Sequence, residues 1–188
     1  MELVMTEQRK KIHPHKFTLW VAIGSITMMF AGLTSAYIIK RNQANWITFD
    51  LPVVFWYSTA VIIISSLTLL LSKRAFENRE MGKHRQLLIA TLVLGIVFIS
   101  LQVIGFTQLW KSGLTLTKNV SISFLYPIVG LHALHVIAGV IALVVLFLKA
   151  FSTKSRSYSA VPIEMMSTYW HFVDLLWIYL FIFLMMIR

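Results

Sequence analysis

Four side chains able to do chemistry lie inside runs that are otherwise apolar. The closing stretch, YWHFVDLLWIYLFIFLMMIR, carries His171 and Asp174 three residues apart, flanked by Tyr169, Trp170 and Trp177. The stretch FLYPIVGLHALHVIAGVIALVVLFL carries His132 and His135 at the same spacing. Residues three apart share a helix face, so each pair can act on one neighbour. Imidazole can ligate zinc, copper or iron, and a histidine beside a carboxylate can relay protons near neutrality. Both chemistries have plain alternatives. A metal site needs further ligands, and a bis-histidine haem needs its histidines on facing helices rather than on one turn. His132 and His135 therefore read as neutral groups bonding between helices. His171 and Asp174 read as an interfacial pair, bonded to each other, to loop cations or to lipid head groups.

These residues must be positioned by membrane helices. Of 188 residues, 58% are hydrophobic and only 13% are charged, far from the balance of a soluble domain. Five segments are long and apolar enough to span a bilayer, at 17–39, 52–72, 86–110, 123–148 and 169–187. Helix is required because lipid offers no partner to backbone N–H and C=O groups. The alternation of a transmembrane β-barrel is absent. The expected fold is an all-α integral membrane bundle of five helices, residues 17–188, behind a polar tail, residues 1–16. In that tail His13 and His15 make an incomplete ligand set. No cleavage pattern follows the first apolar run.

Charge sets the expected orientation. The net charge is +10, but the basic residues sit in short loops, so membrane topology accounts for them and nucleic acid is not expected as a partner. Twelve Lys and Arg fall in the tail, loop 73–85 and loop 149–168, against five on the other side (Lys40, Arg41, Lys111, Lys118 and Arg188). This predicts a cytoplasmic N-terminus and a periplasmic C-terminus. The absence of cysteine excludes disulfides, thiolate metal sites and covalently attached haem. Within the spans, Gly24, Gly32, Gly95, Gly105, Gly130 and Gly139 permit close helix approach, and Ser65, Ser66 and Thr68 suit helix–helix bonding. Pro127 is expected to bend or start the fourth helix, and Pro52 suits the first turn of the second.

With these residues in view, the sequence resembles subunit III of the haem–copper cytochrome oxidases. YWHFVDLLWIYLF resembles that family's last-helix signature, and GLHALHVIAG resembles the helix before it. SITMMFAGLTSAYIIKR, the Pro and Ser/Thr pattern of the second span, and GIVFISLQ resemble the remaining helices in order. Long members have seven helices, with a lipid-filled cleft between the first two and the last five. This chain resembles the short bacterial form that holds only the last five. The resemblance implies a multi-pass protein of the bacterial inner membrane and a subunit without catalytic residues, haem or copper of its own. Haem and copper would belong to partner subunits. The chain would pack on catalytic subunit I, alongside subunit II and other respiratory subunits, bind phospholipid, and support proton uptake and active-site stability in a proton-pumping cytochrome c oxidase. Tyr169, Trp170, His171, Asp174 and Trp177 would then serve lipid binding or helix packing, with His132 and His135 as structural groups. Glu164 matches a glutamate that precedes the signature.

Two positions depart from the pattern. Ile26 and Gly105 stand where relatives often carry glutamate, which leaves Asp174 as the acidic residue within the predicted spans. Other readings remain. The subunit could serve a quinol oxidase or a nitric oxide reductase system. The chain could instead be a haem- or metal-binding redox protein built on His132 and His135, or a five-helix channel or transporter lined by polar residues.

Overall fold

The computed structural model describes residues 14–41, 51–112, 120–151 and 161–187. These form five α-helices: α1 (Pro14–Lys40), α2 (Val54–Glu77), α3 (Met81–Lys111), α4 (Val120–Phe151) and α5 (Val161–Ile187). Each is long and apolar enough to cross a membrane. The tail histidine His13 and the loop residues Trp46, Asp50, Lys118, Lys154 and Arg156 lie outside the described residues.

All five predicted spans are helices, and each extends past its apolar run. Loop 73–85 shrinks to residues 78–80, because α2 continues to Glu77 and α3 begins at Met81. Lys, Arg and Glu are good helix formers, and their long stems reach water from a helix end, so charge does not terminate these helices. What terminates α2 is a backbone motif. Glu80 N–H donates to the Ala75 carbonyl at 2.9 Å and Arg79 N–H to the Phe76 carbonyl at 3.0 Å. Arg79 takes a left-handed φ of 60°, as this helix-ending motif requires. His84 seals the hairpin: its Nδ1 lies 2.9 Å from the Ser72 carbonyl, and Ser72 Oγ donates to the His84 carbonyl at 3.2 Å. Pro127 lies inside α4 rather than at its start.

The α2–α3 hairpin is the closest-packed pair. Buried positions on α2 are Phe55, Ser58, Ile62, Ser65, Leu69 and Ser72. On α3 they are His84, Leu88, Thr91, Gly95, Phe98, Gln102, Gly105 and Leu109. Both series step by three and four, the seam of a left-handed helix pair. Small residues take every second α2 position, so the backbones approach, and hydroxyls bond across, as Thr68 does to Thr91 at 2.9 Å. Phe55 fills the hollow left by Gly105, where a Cβ would come within 3.0 Å of its ring.

Helix α4 packs on α3, and α5 lies against α1, α2 and α4. Among the described residues α1 touches only α4 and α5 and leaves most of its surface uncovered. Helix α5 is the most deeply buried of the five, so most of its signature residues act inside the bundle.

Candidate functional site: the inward face of the last helix

Two tryptophans fix α5. Trp170 is 1% exposed, and its Nε1 donates to Ser65 Oγ on α2 at 3.2 Å. Its six-membered ring lies in a slot between Gly95 of α3 and Gly139 of α4. Two turns on, Trp177 Nε1 donates to Thr59 Oγ1 at 3.0 Å. Its ring stacks on Phe55 and meets Phe98 edge-on, with centroids 5.3 Å apart in the latter pair. Each indole thus satisfies its one donor while its body packs against three helices, the arrangement a buried Trp needs.

His171 and Asp174 do not pair. His171 Nδ1 lies 2.6 Å from Ser66 Oγ on α2. Both Asp174 oxygens lack a hydrogen-bond partner although the residue is only 3% exposed. The Ser66 hydroxyl lies beside the Asp174 carboxyl as well, but outside hydrogen-bond geometry. The place of Asp174 along its helix also differs from the expectation. With α5 beginning at Val161, Asp174 is the middle residue of a 27-residue helix, about 20 Å along its axis. A span boundary placed at Tyr169 had set it in the first turns, close to water.

The two histidines of α4 part company. His132 is buried, and neither ring nitrogen has a partner. It sits in an aromatic cage, 5.1 Å from the Trp177 ring, with Phe30 and Phe98 edge-on. His135 is half-buried, and its Nδ1 donates to the Leu131 carbonyl of its own helix at 2.7 Å. Among the described residues neither side chain bonds to another helix, which differs from the interhelical bonding expected of them. The link runs through the backbone: Tyr169 Oη donates to the His135 carbonyl at 2.9 Å. Among the described residues no cluster of three His, Asp or Glu is arranged to hold a metal ion.

Glu164 falls in the first turn of α5 and pairs with Lys16 of α1 at 2.5 Å. Beside this pair, α1, α4 and α5 enclose a cleft of about 670 Å³, lined by Leu19, Ala142, Val145, Met165 and Tyr169, with Lys149 at its rim. Of the residues singled out in sequence, Tyr169 alone lines it. Trp170, Asp174 and Trp177 are buried in the bundle, with the tryptophans turned toward α2 and α3.

The order and spacing of these side chains along α4 and α5 match a known family. Residues 44–187 fit the model for cytochrome c oxidase subunit III. The chain belongs to that family. Similar proteins include cytochrome c oxidase subunit 3 of Bacillus sp. (strain PS3), 28% identical over 86% of this chain and 80% of that protein. The probable cytochrome c oxidase subunit 3 of Nocardia farcinica is 31% identical over 92% of this chain and 90% of its own length. That of Mycobacterium tuberculosis (strain H37Rv) is 30% identical, with 95% and 93% covered. Subunit III is the non-catalytic subunit of haem–copper oxidases, so this multi-pass membrane chain is part of a respiratory oxidoreductase complex.

Sequence reasoning missed Thr59, Thr34 and the cleft. A signal for the first existed. Ser58, Ser65 and Ser72 recur every seven residues, with Thr59 and Ser66 each one position on. In the first row Ser58 and Ser72 bond to α3 and Ser65 to Trp170 of α5, and the second row meets Trp177 and His171 of α5. Thr34 bonds to Tyr179 at 3.0 Å and joins α1 to α5, but nothing in its spacing marks it.

Proposed function

We propose that this chain is the supporting subunit III of a proton-pumping cytochrome c oxidase, held against catalytic subunit I in a bacterial inner membrane. The basic end, which carries Lys16, Lys73, Lys83 and Lys149, faces the cytoplasm in this reading. One observation carries the supporting role. The tryptophans of α5 and the histidines of α4 are spent on packing: the indoles bond to α2, His132 is caged by rings and His135 binds its own backbone. What remains open to a ligand is an apolar cleft with one cation at its rim, which suits the acyl chain and anionic head group of a phospholipid. Haem, copper and the choice of electron donor belong to other subunits. Support for proton uptake and for active-site stability then comes from lipid and helix contacts at the subunit I boundary.

The test is to tag the chain, extract it mildly from its native membrane and record a reduced-minus-oxidised spectrum, then repeat with the chain expressed alone. Haem bands in the first preparation and none in the second are the expected pair of results. Bands from the chain alone would make it a redox protein on His132 and His135. Absence of a haem–copper subunit from the first preparation would remove the chain from the oxidase. The identity of the co-purified complex separates cytochrome c oxidase from quinol oxidase and nitric oxide reductase.

A further inference from the structure

The interior of the bundle holds one carboxyl group with nothing to neutralise it. Asp174 is 97% buried, given its 3% exposure, and neither oxygen has a donor. An ionised carboxylate in that position would be a bare charge buried between helices, among the costliest placements available to a side chain. Among the described residues the surroundings supply no counter-ion. On α5 itself the titratable neighbours are His171, one turn nearer the basic end, and Glu164, which is committed to Lys16 of α1. From α2 come Ser66 and, two turns further, Lys73, which lies 4.0 Å from Glu77. From α3 the nearest polar group of the hairpin seam is Thr91, bonded to Thr68, and His84 is bonded to Ser72. From α4, His132 is caged by aromatic rings.

One path leads out. His171 is half-buried, feels the charge of Lys73 at the end of α2, and bonds to Ser66 at 2.6 Å. Ser66 in turn lies beside Asp174. A hydroxyl between an imidazole and a carboxyl can accept a proton on one side and donate its own on the other.

We propose that Asp174 is a proton-binding site at the centre of the bundle, filled and emptied through Ser66 and His171 from the basic end. One proton enters at His171 Nε2 while Nδ1–H passes to the Ser66 oxygen. A rotation of the Ser66 side chain brings its hydroxyl within hydrogen-bond reach of Asp174, and its proton moves to the carboxylate, giving a neutral acid. Imidazole and hydroxyl end as they began, apart from the tautomer of the ring, which resets by exchange with water. No other reactant is consumed. The role differs from subunit packing, since Trp170 and Trp177 already secure α5, and it rests on this chain alone.

The chain contains only two aspartates, Asp50 and Asp174, which makes the test selective. The full chain, carrying Asp50→Asn and grown with carboxyl-labelled aspartate, is reconstituted in phospholipid nanodiscs. Its infrared spectrum is followed as water is exchanged for deuterium oxide. A labelled carbonyl band of a protonated acid at neutral pH, shifting on deuteration, is the expected result. Ser66→Ala should slow that shift by about tenfold, the rate equivalent of one lost hydrogen-bonded link. A labelled band of an ionised carboxylate overturns the proposal, and so does an exchange rate unchanged in Ser66→Ala. Because the variant keeps Asp174, a folding defect of an Asp174 substitution cannot obscure the reading.

Discussion

Trp170 and Gly95 meet across the bundle with no room for a methyl group between them. A Cβ on Gly95 would lie 3.0 Å from the Trp170 ring and 3.2 Å from Val140. The indole cannot retreat, since Gly139 backs its other edge at the same 3.0 Å and Ser65 holds its N–H. Gly95→Ala is therefore expected to destabilise the bundle by about 1–3 kcal/mol, the usual cost of overpacking. Gly24 and Gly130 have nothing within 4 Å of the same position, and alanine there should be neutral or stabilising by up to about 1 kcal/mol through helix propensity. Thermal unfolding of the purified chain, followed by circular dichroism, would rank the three. Equal midpoints would mean that the indole slot is looser than its geometry states.

Lys16–Glu164 and Thr34–Tyr179 both join α1 to α5, and they should differ in character. Lys16 and Glu164 are each about 40% exposed, so their ion pair is screened and worth about 0–1 kcal/mol. Thr34, buried, meets Tyr179 at 3.0 Å in the apolar layer, where interhelical bonds average about 0.6 kcal/mol and reach about 1.7. Glu164→Gln should lower stability slightly, with the loss disappearing at high salt. Tyr179→Phe should cost about as much or more and be indifferent to salt. A salt-sensitive Tyr179→Phe would place that contact in water.

The number, order and class of the helices were legible in the apolar runs, because bilayer thickness fixes a minimum length of apolar chain. Helix ends were not legible. Apolarity marks where lipid lies, whereas Glu77 and Met81 are placed by a backbone turn at Arg79 and by the return of His84 onto Ser72. With α5 starting at Val161, Asp174 stands at mid-helix rather than in the first turns. The faces of α5 were hidden for another reason. It is apolar almost all round, so no periodicity separates a residue facing α2 from one facing lipid. The α2 heptad of Ser58, Ser65 and Ser72 lies on the seam that receives α3, a signal present in the sequence but not used in reading it. The signature motif itself pointed to α5, but not to the inward direction of Trp170 and Trp177.

His132 offers a test of whether an intramembrane histidine is there for its nitrogens. Both lack partners, and its ring is surrounded by Phe30, Phe98 and Trp177. Replacing an unsatisfied polar ring by an apolar one of similar shape is nearly neutral or stabilising, within about 1 kcal/mol. His132→Phe should therefore preserve stability and the spectrum of the co-purified complex. Loss of haem or of the catalytic subunit on this substitution would show that an imidazole nitrogen is used by a group outside the chain.

The cleft between α1, α4 and α5 yields the most direct prediction about lipid. Ala142 and Leu19 line it from opposite helices, and Lys149 stands at its rim. Ala142→Phe places a ring in the cavity without touching the Trp170 slot, so it should reduce the phospholipid retained per chain while leaving the helical signal intact. Lys149→Gln leaves the cavity open but removes its cation. Since a basic side chain near an anionic surface is worth about 1 kcal/mol, it should lower the preference for anionic over zwitterionic lipid by about fivefold. Mass spectrometry of lipid extracted from washed, purified chain measures both quantities. Reduced total lipid in the first variant with altered head-group ratio in the second locates the chain and the head group separately. Unchanged lipid in both would leave the cleft without an acyl occupant and place retained lipid on the uncovered face of α1.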